Sequence, residues 1–316
     1  MSASKQGGSN LVIFAALAAN LGIAVAKFIA AGISGSSSML TEGFHSVVDS
    51  LNQVLLLYGQ HRGQRAPDED HPFGYGRELY FWSFVVAILI FAVGAGVSIY
   101  EGYVHILEPE PLRDPLINYL VLSVAFAMEG ASWFLAMREF AASKGKTGWW
   151  RAVRRSKDPA GFIVLFEDSA ALAGLVIAGI GVWASHTYGD PRIDGVASIA
   201  IGVILALVAA LLAREAKGLL IGEGADPAVV AKVRAVVDRQ VAITSVNHVR
   251  TIHTAPDSIF VAISADFDDA LTMGEAETLI ERIEDELRAA EPMLSSIYIR
   301  PEKRENAAVF TPKDKA

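Results

Sequence analysis

Long apolar runs separated by short polar breaks fill the first two-thirds of this chain, and amphipathic patterns fill the remainder. The runs over residues 11–33, 38–58, 79–99, 116–137, 160–183 and 196–212 are each near the roughly 20 residues that an α-helix needs to cross hydrocarbon. Six transmembrane helices are therefore expected, the last the shortest. Beyond residue 213 the pattern changes, with Arg214, Glu215 and Lys217 marking the exit. Val229, Val230, Val233, Val236 and Val237 recur at helical spacing behind Asp226 and Pro227, an N-cap and first-turn pair. Ile259, Val261, Ile263, Ala265 and Phe267 alternate with Ala262, Ser264 and Asp266, which predicts a strand with one buried face. Pro256 and Asp257 supply a turn that separates it from an earlier strand over 247–254. Met273, Ala276, Leu279, Ile280, Ile283 and Leu287 predict another helix, and 296–299 a last strand. The order αββαβ over about eighty residues has the size of a small independent domain. The fold class is thus membrane α-helical, with a compact α+β domain at 214–302 after the six-helix domain at 11–213. Residues 303–316 are polar without periodicity and are expected to form a disordered tail.

Composition agrees with the hydropathy pattern and narrows the chemistry. Of 316 residues, 52% are hydrophobic, and the mean hydropathy of +0.37 belongs with membrane proteins. The chain has no cysteine, which excludes disulfides, thiolate metal ligation and a Cys nucleophile. A net charge of -8 gives no sign of a nucleic-acid partner. The basic residues set orientation, because Lys and Arg near span ends are retained on the cytoplasmic side. Arg138, Lys144, Lys146, Arg151, Arg154, Arg155 and Lys157 lie between the fourth and fifth runs, and Arg62, Arg65 and Arg77 follow the second. On the opposite side, 35–37 is uncharged, 108–115 has Arg113 as its one basic residue, and Arg192 stands alone before the last run. Both termini are expected to be cytoplasmic. The polar start at 1–10 has neither the n-region nor the cleavage site of a signal peptide, so the first run is expected to remain as a span.

His45, Asp49 and Asn52 stand at i, i+4 and i+7 within the second run, on one face of a helix. A charged side chain at the bilayer centre costs roughly 2.5–3.5 kcal/mol on insertion scales, so such groups imply a cation, a proton path or a paired partner. One imidazole and one carboxylate are half of a four-coordinate zinc shell. The plainer alternative is a hydrogen-bonded pair that fixes helix packing. In the fifth run Glu167 and Asp168 are adjacent, about 100° apart around a helix, so that one can ligate while the other packs. Two neighbouring carboxylates that can be neutralised by protons suit exchange of a cation against protons. Glu129 in the fourth run and Lys27 in the first either pair with each other, or Lys27 snorkels, and Glu129 stays a candidate for the proton path or the metal's surroundings. Glu101 and His105 fall at headgroup depth. The loop 68–72 offers Asp68 and His71 as a weak candidate metal site, with a solvated acidic turn as the alternative, and His248 and His253 read as structural or solvated.

These residues carry a resemblance. Thr41-Glu42-Gly43-Phe44-His45-Ser46-Val47-Val48-Asp49-Ser50, then His71-Pro72-Phe73-Gly74-Tyr75-Gly76, and Asp168 in the fifth run are similar to the motifs of the cation diffusion facilitator family of divalent-metal transporters. The run Leu165-Phe166-Glu167-Asp168-Ser169-Ala170-Ala171 resembles its zinc transporter nine-like branch. The resemblance implies six spans, a ferredoxin- or metallochaperone-like cytoplasmic domain, and a homodimer in the bilayer. It also implies efflux of a divalent metal from the cytoplasm by metal/proton antiport with alternating access. On this reading His45, Asp49 and Asp168 line the transport site, and Zn²⁺ is the first-choice cargo, with Mn²⁺, Fe²⁺, Co²⁺ and Cd²⁺ open. No resident cofactor is implied, and the expected setting is a bacterial-type plasma (inner) membrane. The family places His or Asp four residues before Asp168, where this chain has Val164, so Glu167, Glu129, Asn52 or water must complete the shell. In the loop, Asp68 and His71 match family ligands while the family's second His is Tyr75. In the cytoplasmic domain His248 matches one ligand position, but Ser264 and Glu277 replace others, which implies a role in dimer contact. Two other classes remain: an intramembrane metalloenzyme, disfavoured because no HExxH motif is present, and a membrane scaffold whose polar groups only fix packing.

Overall fold

The computed structural model describes residues 3–111, 113–144, 148–149 and 159–307. Lys146, Arg151, Arg154, Arg155 and Lys157, which carry much of the orientation signal, and tail residues 308–316 lie outside the described residues. The chain divides into two compact units, one of residues 1–62 and 78–217 and the other of residues 63–77 and 218–316.

The first unit is built on six long helices: α1 (Ala3–Ser34), α2 (Ser37–Gly63), α3 (Glu78–Leu107), α4 (Pro115–Lys144), α5 (Pro159–Tyr188) and α6 (Arg192–Ile221). Each covers one of the predicted apolar runs. Helices α3 to α6 each contain a stretch long and apolar enough to cross a membrane, while the described apolar part of α1, Asn20–Ser34, is shorter. Helix α2 is more polar because it buries Ser37, Thr41, Glu42, His45, Ser46, Ser50 and Asn52 on its inward side. Helix α6 does not stop at residue 213. Arg214, Glu215 and Lys217 are good helix formers, and Ala216 and Leu219 continue the buried stripe, so the helix runs to Ile221 and ends at Gly222 with φ of +118°.

Small residues bring α3 and α6 together. A Cβ added at Gly102 would lie 2.5 Å from the carbonyl oxygen of Gly195, and one at Gly195 would lie 2.8 Å from that of Gly102. With no hydrophobic drive between helices in lipid, close backbone approach of this kind is a main source of association. Within α3, Ile90–Ala95 forms a π-helical turn. At the start of α2, Asp194 of α6 is fully buried and acts as a cap in trans: Ser38 N–H donates to Oδ2 at 3.1 Å, the Ser36 hydroxyl donates to the same oxygen at 3.0 Å, and the Ser38 hydroxyl donates to Oδ1. A carboxylate there satisfies orphan N–H groups and complements the positive end of the helix dipole.

The second unit contains α7 (Pro227–Asp238), β1 (Ile243–Ala255), β2 (Ser258–Phe267), α8 (Met273–Ala290) and β3 (Leu294–Pro301), the αββαβ order read from the sequence. The sheet order is β1-β2-β3, antiparallel between β1 and β2 and parallel between β2 and β3. The alternating residues Ile259, Val261, Ile263 and Ala265 are buried, and they share a core with Val233 and Val237 of α7, Leu279 and Ile283 of α8 and Ile297 of β3. Strand β1 begins earlier than the pattern predicts because register shifts near residues 243–248 break the two-residue alternation. After β3, Arg304–Asn306 makes one 3₁₀ turn, held by Arg304 N–H donating to Asp266 Oδ2 at 3.1 Å and by a 3.0 Å ion pair of Lys303 with Asp269. The loop at 63–77 belongs to this unit, with the ring of Phe73 edge-on to that of Phe260 at 5.5 Å. A Cβ at Gly76 would collide with the Ala255 Cβ, so only glycine allows this approach.

Candidate metal site

Helical spacing puts His45, Asp49 and Asn52 on one face of α2, and that face is turned into the first unit. His45 and Asn52 are buried, and His45 Nδ1 lies 3.5 Å from Asp49 Oδ1, too far for a good hydrogen bond. Both imidazole nitrogens, Asp49 Oδ1 and Asn52 Oδ1 are buried and have no hydrogen-bond partner among the described residues. Buried polar atoms left open cost about 1–3 kcal/mol each, so four on one helix face are a strong anomaly for a purely structural stripe.

Asp49 faces a cavity of about 40 Å³ whose wall also contains Glu129 and Ser132 of α4 and Val164, Glu167 and Asp168 of α5. That volume holds an ion with a water or two. Asp168 Oδ2 accepts from the Ser132 hydroxyl at 3.0 Å, and Glu167 Oε1 accepts from Asn52 Nδ2 at 2.6 Å. The adjacent pair on α5 thus bonds to different neighbours, and both carboxylates reach the cavity wall. Of the sequence-predicted residues, Asp49, Glu129, Glu167 and Asp168 share the cavity, Asn52 fastens one of them, and His45 is one turn from Asp49 but not on the wall. Among the described residues, no three His, Asp or Glu side chains are arranged to hold a metal ion as they stand.

Lys27 of α1 is fully buried beside this site. Its ammonium donates to Glu42 Oε2 at 2.9 Å, to the Ser46 hydroxyl at 2.8 Å and to Glu129 Oε1 at 3.2 Å. Pairing of Lys27 with Glu129 is one of the two readings the sequence allows; snorkelling is ruled out by complete burial. Glu42 as the nearer partner is not visible in the sequence. Its one signal is a carboxylate a single turn before His45, inside an apolar run. Glu42 Oε1 packs so close to α5 that a Cβ on Gly174 would collide with it.

The loop residues Asp68 and His71 lie side by side, with His71 Nδ1 3.5 Å from Asp68 Oδ1. Asp68 Oδ1 accepts from His71 N–H at 2.7 Å and Oδ2 from the Tyr75 hydroxyl at 2.7 Å. The Tyr75 bond first, and the His71 backbone bond next, hold the Asp68 carboxyl below its ordinary pKa. His71 stacks obliquely on Tyr75 with ring centroids 4.2 Å apart. In the sheet, His248 stands opposite Ser264 in the register, and buried His253 places Nδ1 3.4 Å from Ala255 O.

Residues 13–221 match the family of the cation efflux transmembrane domain, and residues 225–304 match that of the cation efflux protein cytoplasmic domain. The chain belongs to the cation diffusion facilitator family. It is 32% identical over 244 residues to the mitochondrial proton-coupled zinc antiporter SLC30A9 of Xenopus laevis, a match covering 77% of this chain and 44% of the relative. It is 31% identical over 269 residues to metal tolerance protein C4 of Arabidopsis thaliana, covering 84% of this chain and 58% of the relative. The manganese efflux system protein MneP of Bacillus subtilis is 23% identical over 294 residues, covering 91% of this chain and 94% of that protein. The chain thus spans under half the length of the zinc antiporter it matches.

Proposed function

We propose that this chain exports a divalent metal ion, Zn²⁺ before the others, from the cytoplasm in exchange for protons, as a secondary transporter and not an enzyme. The observation that carries the reading is the membrane-embedded cavity walled by Asp49, Glu129, Glu167 and Asp168 beside buried acceptor atoms that have no partner. Hydrocarbon gives such atoms no water, so a cation or protons must satisfy them. Nitrogen and oxygen donors suit Zn²⁺ while admitting Mn²⁺, Fe²⁺, Co²⁺ and Cd²⁺, in keeping with relatives named for zinc and for manganese.

In this reading His45, Asp49 and Asp168 supply the first three ligands, and small helix shifts bring the imidazole round to the cavity. Val164 offers no donor, so water or an oxygen of Glu167 completes the shell, with Asn52 positioning Glu167 and Glu129 held on the cavity wall by Lys27. Protons arriving from the opposite side neutralise the carboxylates and put positive charge on the imidazole, and both changes expel the cation. Asp68 and His71 we assign to fastening the loop turn rather than to metal. The cytoplasmic domain, whose family is that of cation efflux cytoplasmic domains, serves a homodimer in which each chain carries its own transport site. We place both termini in the cytoplasm, on the basic loops, and the protein in a proton-energised inner membrane of the bacterial plasma-membrane type; the relatives named mitochondrial make the organelle's membrane the other setting to test.

The test is zinc flux in proteoliposomes of the full chain. Vesicles made acidic inside are expected to accumulate zinc and to stop when a protonophore collapses the gradient. Uptake that ignores the gradient would refute antiport.

A further inference from the structure

The transport reading uses the carboxylates and the imidazole but leaves the buried ammonium of Lys27 unexplained. A fixed positive charge against the wall of a cation site is costly for the cargo. The charge touches that wall directly, because Ser46 and Glu129, two of its three partners, line the cavity. Glu42, the third, is fully buried, faces Lys27 at 2.9 Å and does not line the cavity, so it neutralises the ammonium from behind. Glu129 is divided: Oε1 is held by Lys27 at 3.2 Å, while Oε2 is buried and has no hydrogen-bond partner among the described residues. Without the ammonium, Glu129 would be a carboxylate on a cavity already walled by three others, free to turn both oxygens onto the metal.

We propose that Lys27 is a positioning residue that withholds Glu129 from the transported metal, setting the site's affinity low enough for release. The inference rests on the transport reading above and adds the residue that tunes it. Glu42 serves to keep the ammonium charged and in place, and Gly174 gives Glu42 the room to do so. When Lys27 is lost a fourth protein ligand becomes available, and removing Glu42 with it leaves the summed charge of that buried pair unchanged, so the effect runs through Glu129. The metal then binds more tightly and leaves more slowly. A purely structural ion pair would give the opposite result on removal, a looser site and weaker binding.

The experiment uses the full chain purified in detergent, with Zn²⁺ affinity measured by competition against a chromogenic zinc indicator and uptake measured in proteoliposomes. Lys27→Met combined with Glu42→Gln removes both charges of the fully buried pair, so that Glu129 is the carboxylate released. It is expected to lower the dissociation constant and KM for Zn²⁺ by about tenfold, a change of about 1.4 kcal/mol, while the maximal rate falls. Adding Glu129→Gln to that pair is expected to return the affinity to within about twofold of the wild type. Lys27→Gln, which keeps a hydrogen-bonding group near Ser46, is expected to shift affinity in the same direction and covers the case in which the double variant does not fold. Unchanged or weaker binding in the folded variants, or tighter binding that persists with Glu129→Gln, would overturn the inference. Failure of the wild-type protein itself to bind or move zinc would instead overturn the transport reading.

Discussion

In the proposed transport site, Val164 takes the place of a fourth ligand. It stands one helical turn before Asp168, on the cavity wall, where an isopropyl group gives the cargo no donor. Val164→Asp is expected to tighten Zn²⁺ binding by about tenfold, about 1.4 kcal/mol, in an indicator titration, because it adds an anionic oxygen to the proposed shell. Unchanged affinity would mean that the cargo does not sit between Asp49 and Asp168. His45, Asp49 and Asp168 were legible as candidates because ionisable groups inside apolar runs stand out without any structure. The grouping of Lys27 with Glu42 was not, since it depends on which faces of α1, α2 and α4 meet, and periodicity within one helix does not report that. Asp194 was hidden for a related reason: at the edge of a run it reads as an ordinary boundary residue, and only the packing of α6 against the start of α2 buries it.

Among the elements, α8 shows local sequence and local structure in agreement. Thr272 caps it, its hydroxyl accepting from Glu275 N–H at 3.3 Å while Glu275 Oε2 accepts from Thr272 N–H at 2.8 Å. The reciprocal bonds satisfy two of the helix's orphan donors. Thr272→Ala is expected to cost about 1 kcal/mol. In the full chain, thermal unfolding of this unit should shift down by about 4–8 °C, the usual scale for a domain of this size. The Thr272 backbone and hydroxyl bonds, in that order, hold the Glu275 carboxyl below its ordinary pKa. Its contribution is therefore fully present above the unfolded value and is lost as pH falls through the lowered folded value. The Thr272→Ala penalty should shrink in acid, and a penalty independent of pH would contradict this. Helix and strand types were readable because the apolar periods of 3.6 and 2 survive in α7, α8 and β2. The ends were not: the bulged start of β1 breaks its period, and the charged residues 214–217 end a hydropathy run without ending helix α6.

At the scale of the whole molecule, the division into an apolar helical part and a small α+β part was visible as a change of pattern near residue 213, and the two family matches, 13–221 and 225–304, part the chain at nearly the same place. What the pattern could not place is the loop at 63–77, which leaves the helical part in sequence but packs with the α+β unit through Phe73 and Gly76. In the proposed transport cycle, Asp49 of α2 and Asp168 of α5 carry the cargo together. The most direct measurement is the initial rate of zinc uptake into acid-interior proteoliposomes for the wild-type chain, Asp49→Ala and Asp168→Ala, each checked for folding by its elution from a sizing column. The expected result is gradient-driven uptake in the wild type and loss of it, to the rate of protein-free vesicles, in each variant. Uptake at the wild-type rate in both variants would contradict the proposed site.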